Sequence, residues 1–407
     1  MADEYLRRLT AGCRSGKDSV LANLLSIPSL SKQGVDDLMH APGAVDFPWG
    51  QRILSLNLPA DWGSVFSANL QARVALQQGR FRAAFDAVSS AYRSFLKMFE
   101  VLSEEYWLKD VLRILCVNVR LAGRQSDRKE KGGESTYGKV QDLLILGTKN
   151  TQVSRAMEKK EAAIGVFNQM FKVYFEYNAL NLCKSLFKSA ETAVYGRGIL
   201  DFNSLPLAQQ VTYKFFLGRM AIFEEKYKTA EQALEFALSK CIVSHTKNRR
   251  SILFYLIPIK LYFGKYPSEA LLREHNLLEY QGIVRALRSG NPLMFRNELQ
   301  RYQVSFLSKG LYLLLEQLKA TLYRNMLFTC YKILANNKMN LKSILPALLA
   351  TGNSMELGEL ECIVCNLIQK GFVKGYVSHK EAYLVMSKSE PFPKLSVIGD
   401  RRRSKEQ

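Results

Sequence analysis

Phe372-Val373-Lys374-Gly375-Tyr376-Val377-Ser378-His379, followed shortly by Tyr383-Leu384-Val385-Met386, decides how this chain folds. Apolar and polar residues alternate in both stretches, the period of a strand with one buried face, and the polar residues between them suit a turn. Upstream the period is helical, with long patterns near 293–308 and 310–336 and shorter ones at 341–350 and 355–370. Three helices followed by a hairpin is the order of a winged helix, in which the hairpin forms the wing beside the third helix.

Working back from this module, the chain reads as helical repeats. Phe81 is followed by Ala84, Ala87 and Ala91, and Tyr227 by Ala230, Ala233 and Ala237. The shared steps mark two tetratricopeptide-like hairpins, the first with its turn near Gly79, and the small alanines let neighbouring helices approach closely. Between them Ala163, Phe167, Met170, Tyr174 and Tyr177, then Leu180, Cys183 and Phe187, form an apolar stripe that reads as core. Such hairpins bury their faces by stacking, so the expected fold is mainly α: a TPR-like superhelix followed by a C-terminal winged-helix module. The domain reading is short helices and turns over 1–66, where Pro28, Pro42, Pro48 and Pro59 fall, then repeats over 67–309, the winged helix over 310–395 and a basic tail over 396–407. The polar, glycine-rich run 123–138 reads as a mobile surface loop.

Composition narrows the function classes. The chain has 407 residues, 47% of them hydrophobic, which is enough for a substantial core. Lys and Arg number 57 against 37 Asp and Glu, a formal charge of +20 that selects polyanions as partners. The most apolar stretch, 252–263, is short and interrupted by Pro258 and Lys260, so no membrane span is expected. The N-terminus lacks the pattern of a secretory signal, no Asn-x-Ser/Thr acceptor occurs, and the seven scattered cysteines read as reduced thiols.

The sequence carries few residues in catalytic patterns. Gly12-Cys13-Arg14-Ser15-Gly16-Lys17-Asp18-Ser19 is one residue short of a phosphate loop, and Asp18 stands where a hydroxyl is needed. Cys362 and Cys365 have metal-ligand spacing but no second pair, and His379 is a lone later candidate. The neighbours Glu104-Glu105 and Glu224-Glu225 point in different directions on a helix and cannot work as a catalytic pair. No catalytic, cofactor-binding or metal residue is assigned, and the chain is expected not to be an enzyme.

The positive charge gathers at the C-terminal end. From Arg285 onward there are 19 Lys and Arg against 9 Asp and Glu, half of the total excess in under a third of the chain. Lys342, Lys370, Lys374, Lys380 and Lys388 in the winged helix, with Arg401, Arg402, Arg403 and Lys405 in the tail, are the candidate phosphate contacts. Glu356, Glu359 and Glu361 open the third helix and would repel a phosphate backbone there. Binding through wing and tail, independent of base sequence, is therefore the expectation.

Helical repeats leading into a winged helix resemble the PCI-domain family, whose members serve in the proteasome lid, the signalosome and initiation-factor complexes. Residues 372–379, Leu384-Val385-Met386-Ser387-Lys388 and Pro391-Phe392-Pro393 are similar to its Thp-type branch, the subunits of the transcription-coupled mRNA-export complex TREX type two. Leu256-Ile257-Pro258-Ile259-Lys260, Gly290-Asn291-Pro292-Leu293 and Tyr323-Arg324-Asn325 carry the same likeness, which is clearest over 200–395. The resemblance implies a nuclear subunit, present also at the nuclear pore, that pairs with a Sac-type (germinal-centre-associated) PCI scaffold and a small acidic Sem/Dss-type protein. It further implies a surface for RNA or duplex DNA. Lys247, Arg249, Arg250 and Lys260 are assigned to the acidic partner on charge. The competing class is a PCI scaffold of another complex with no nucleic-acid role.

Overall fold

The computed structural model describes residues 2–30, 37–40, 43–58, 61–101, 108–130, 135–153, 157–194, 202–350 and 354–398. The chain divides into two compact units, 1–213 and 214–407. The expected boundaries at 66/67 and 309/310 each fall inside a unit. The division between the units lies within one continuous helix, Leu207–Phe223.

The first unit contains α1 (Ala2–Ser15), α2 (Asp18–Leu25), α3 (Asp37–His40), α4 (Trp49–Leu54), α5 (Trp62–Gln77), α6 (Phe81–Val101), α7 (Lys109–Lys129), α8 (Tyr137–Val153), α9 (Met157–Glu176) and α10 (Leu180–Val194). Helices α5 and α6 form the expected hairpin. Gly79 turns it at φ +73°, and the amide of Arg80 bonds back to the carbonyl of Ala75 at 2.8 Å. Ala84 and Ala91 are fully buried, and Trp62, Phe66, Phe95 and Phe99 pack ring to ring beside them.

Helices α2, α3 and α4 are short, whereas α1, which holds no proline, runs for 14 residues; the N-terminal segment belongs to this core rather than standing apart from it. Asn69 and Asn118 each donate to the carbonyl of Leu25, and Arg73 donates to those of Leu24 and Ser26. Asp18, at the former phosphate-loop position, has a structural duty: its two oxygens accept the backbone amides of Asp110 (2.8 Å) and Val111 (2.9 Å) and so cap α7. Burial pushes the Asp18 carboxyl up to about 6, against the pull of those two amides. Asp18→Ala is expected to lower the stability of the chain by about 1 kcal/mol. Because the folded value lies above the ordinary carboxylate range, Asp18 takes up a proton on folding; the deficit of the variant should be largest near pH 4 and shrink as pH rises through 6, as urea unfolding at the two pH values would show.

The polar run 123–138 is not the expected loop over most of the residues described. Helix α7 continues through Lys129 and α8 begins at Tyr137, and residues 131–134 lie outside the described ones. The helix persists because small residues, not charges, face inward. A Cβ on Gly123 would come within 2.5 Å of Val140, and Ser126 is fully buried. Asp127 then organises the connection, accepting from the amide of Thr136 and the hydroxyls of Ser135 and Tyr177. Burial works against its charge, but these bonds hold its carboxyl below the usual range.

The second unit takes up α11 (Leu207–Phe223) and continues with α12 (Tyr227–Lys240), α13 (Thr246–Tyr262), α14 (Glu269–Glu274), α15 (Gln281–Ser289), α16 (Pro292–Arg301), α17 (Gln303–Ser308), α18 (Tyr312–Gln317) and α19 (Lys319–Leu334). Ala230, Ala233 and Ala237 are buried on α12, as their spacing required. Gly290 ends α15 in the left-handed region at φ +67°, and an added Cβ would meet the backbone of Met326 at 2.7 Å; glycine is what allows α15 to lie against α19.

The module at the end is a winged helix: α19, β1 (Lys338–Asn340), α20 (Leu345–Ala350), α21 (Leu357–Gln369), β2 (Gly375–Ser378) and β3 (Tyr383–Met386). The two long helical patterns are each broken, at Tyr302 and at Leu318, and the hairpin stands where the alternation placed it. A strand that the periodicity missed, β1, completes an antiparallel sheet in the order β1-β3-β2. Its inner face (Met339, Leu384 and Met386) closes on Leu327, Leu360, Val364 and Leu367.

Candidate nucleic-acid interface

Pairing fixes which side chains share the outer face of the sheet. Lys338 lies opposite Val385, and Val385 opposite Tyr376, so these three form one row across the strands. Their neighbours Met339, Leu384 and Val377 form the next row and point to the core. Tyr376 is 63% exposed and Lys338 is exposed at the other edge. An aromatic face at one edge of a three-stranded sheet and a cation at the other, with Val385 between them, form a surface on which an unpaired base can stack while a neighbouring phosphate meets the ammonium.

Four of the five lysines assigned in the winged helix surround this sheet as exposed side chains: Lys342 just after β1, Lys370 at the end of α21, Lys380 in the wing turn and Lys388 just after β3. None has a carboxylate within ion-pair distance among the described residues. Lys374 differs, because it is half-buried and bound to Glu390 at 2.7 Å, which takes up much of its charge. Arg401, Arg402, Arg403 and Lys405 lie outside the described residues, as do Glu104 and Glu105.

A polar contact ties the wing to α21. Nδ1 of His379 stands 2.7 Å from Oε2 of Glu361, whose side chain is otherwise buried in the module. Glu356 and Glu359 are exposed at the start of α21 and keep that helix end negative, so the cationic surface belongs to the sheet and wing. Lys338 and Tyr376 are the members of this surface that sequence reasoning did not assign. The alternation of 372–379 could have flagged Tyr376, since it falls on the face opposite Val377.

The residues assigned to an acidic partner are not alike. Lys260 of α13 is bonded to Glu231 at 2.7 Å and to Glu235, both on α12. Partial burial opposes its charge, but these two carboxylates raise its pKa above the ordinary lysine value. Arg250 pairs with Glu279 at 2.7 Å, and Arg249 spends its guanidinium on the carbonyls of Leu238 and Cys241. Lys247 alone of the four is exposed with no such engagement among the described residues. Charges from sequence-distant α12 have already met Lys260, which a count along the chain does not register.

Among the described residues no group of three His, Cys, Asp or Glu is placed to hold a metal ion, and no helix is long and apolar enough to cross a membrane. Cys362 and Cys365 are exposed on α21, whereas burial pushes the thiols of Cys13 and Cys116 up to about 12 and leaves them poor nucleophiles.

The family model of the PCI domain matches residues 299–388, the stretch from α16 through the wing. A Xenopus laevis protein named PCI domain-containing protein 2 is 31% identical, with 84% of this chain and 86% of that protein covered. Its Dictyostelium discoideum homologue is 34% identical over 82% and 79%. Enhanced ethylene response protein 5 of Arabidopsis thaliana is 32% identical over 97% of this chain and 95% of its own length. Identity at this level across nearly the whole length, with the PCI domain lying where the winged helix is found, shows that the chain belongs to the PCI domain-containing protein 2 family.

Proposed function

We propose that this PCI scaffold protein is a non-enzymatic subunit of a nuclear, transcription-coupled mRNA-export assembly of the TREX type-two kind. It holds partner subunits through its PCI domain and takes hold of RNA, without base preference, at the outer face of its winged-helix sheet. The observation that carries the nucleic-acid part is the row Lys338–Val385–Tyr376 with the unpaired lysines 342, 370, 380 and 388 around it. An exposed tyrosine favours single strands, whose bases are free to stack, over duplex DNA. The partners fitting the scaffold part are a second PCI protein of the Sac type and a small acidic Sem/Dss-type chain, for which Lys247 offers the available charge.

Two measurements separate this reading from a PCI scaffold with no nucleic-acid role. Affinity of the purified chain for a single-stranded RNA oligomer should fall linearly in log K against log salt, with little dependence on base sequence. A tagged chain should retain an export scaffold and a small acidic protein from nuclear extract. Lid or signalosome subunits in that eluate, without an export scaffold, would reject the export assignment.

A further inference from the structure

The seam between α7 and α9 in the first unit carries a ladder of charges. Along α7 stand Lys109, Arg113, Arg120, Arg124 and Arg128, and along the facing side of α9 stand Glu161, Gln169, Lys172 and Glu176. At the two ends the ladder is satisfied: Lys109 pairs with Glu161 at 3.1 Å, and Arg124 and Arg128 both reach Glu176, at 2.9 and 3.3 Å. In the middle it is not. Arg113 has Asp110 of its own helix at 3.2 Å, and Arg120 donates its Nε to the neutral Oε1 of Gln169 at 3.0 Å. Lys172 has no hydrogen-bonded or ion-paired partner among the described residues. Two guanidinium groups and a half-buried ammonium thus converge; Asp110 offsets Arg113 and Glu176 acts on Arg120, but the ammonium of Lys172 has no carboxylate in contact with it among the described residues, a gap that an anion can fill.

Burial, then the positive charges of Arg120 and Arg113, bring Lys172 down to about 8, and burial brings Arg120 down to about 10 with Glu176 opposing the fall. All three side chains keep some solvent exposure, so the gap can be reached from outside. We propose that the middle of the α7–α9 seam binds a single phosphate group, as inorganic phosphate or a phosphate monoester, between the forks of Arg113 and Arg120 and the ammonium of Lys172. Guanidinium forks match the paired oxygens of a tetrahedral oxyanion, and the ammonium supplies the third charge. A continuous polyanion fits less well, because Glu161 and Glu176 stand on either side and would repel its next charges.

The test uses the full-length chain in thermal unfolding, with potassium phosphate or O-phosphoserine against potassium chloride at matched ionic strength. At roughly a hundredfold excess over Kd, phosphate is expected to raise Tm by about 5 °C. A response to both compounds identifies the site with the ion itself; a response to O-phosphoserine alone identifies it with the monoester. Lys172→Met should abolish the response, and in chloride it should unfold at or above the wild-type temperature, because a half-buried charge with no contacting counter-charge has been removed. Arg113→Gln, which is less buried, is the second variant and should weaken the response by at least tenfold in apparent Kd. No effect of either compound on the wild type, or an equal effect on Lys172→Met, would overturn the proposal.

Discussion

Changing Lys338, Lys380 and Lys388 together to glutamate is expected to lower the affinity for single-stranded RNA by about 100-fold near 0.1 M salt. The three sit on an edge strand, in the wing turn and just after the central strand, exposed and without carboxylate partners among the described residues. Each phosphate contact to a single strand contributes roughly 0.7 to the slope of log K against log salt, so the slope should flatten by about 2. Tyr376→Ala provides the complementary result: a loss of about tenfold or more from base stacking, with the slope unchanged. Lys374→Gln, in contrast, should change little, because Glu390 already occupies that ammonium. Fluorescence anisotropy over a salt series reads all three. A triple variant with unaltered slope would remove the sheet and wing from the interface.

The second large effect concerns stability. Arg324 is 9% exposed within the winged-helix module, and its Nη2 donates to the carbonyls of Phe392 (3.3 Å) and Pro393 (2.9 Å), while its guanidinium lies against the rings of Phe328 and Phe392. It clamps the segment after β3 onto α19. Arg324→Ala leaves two carbonyls unpaired and a gap between two aromatic rings, and is expected to cost about 3 kcal/mol. For a unit of this size that is a fall in Tm of about 10 °C. Arg324→Lys should recover only part of it, since an ammonium lacks the planar fork and stacks poorly. Calorimetry, with limited proteolysis of the segment after Met386, distinguishes release of the clamp from general loosening; an unchanged Tm in the alanine variant would refute the clamp.

The wing was legible in the sequence because four-residue strands with one buried face must alternate. Strand β1 was not, because three residues, Lys338 to Asn340, are too few to show a period, and with it went Lys338 and the outer row of the sheet. The alanine steps after Phe81 and Tyr227 were legible because close helix packing excludes larger side chains there. The run from Gly123 misled because its composition is that of a loop while its inner face, Gly123 and Ser126, is that of a packed helix. Charge assignments fared according to distance along the chain. Lysines 342, 370, 380 and 388 are exposed as read, whereas Lys374 and Lys260 are engaged by glutamates 16 or more residues away, which no local pattern reveals. The α7–α9 seam escaped notice for the same reason.

The strand order β1-β3-β2 places the last of the described strands in the centre of the sheet. During synthesis neither β1 nor β2 has a partner in this sheet until β3 has left the ribosome, so the winged helix can close only once Tyr383–Met386 has emerged, after the first unit has had time to fold. A nascent chain halted before Tyr383 would present two unpaired strand edges and an open apolar face, a form that chaperones would retain and quality control would remove.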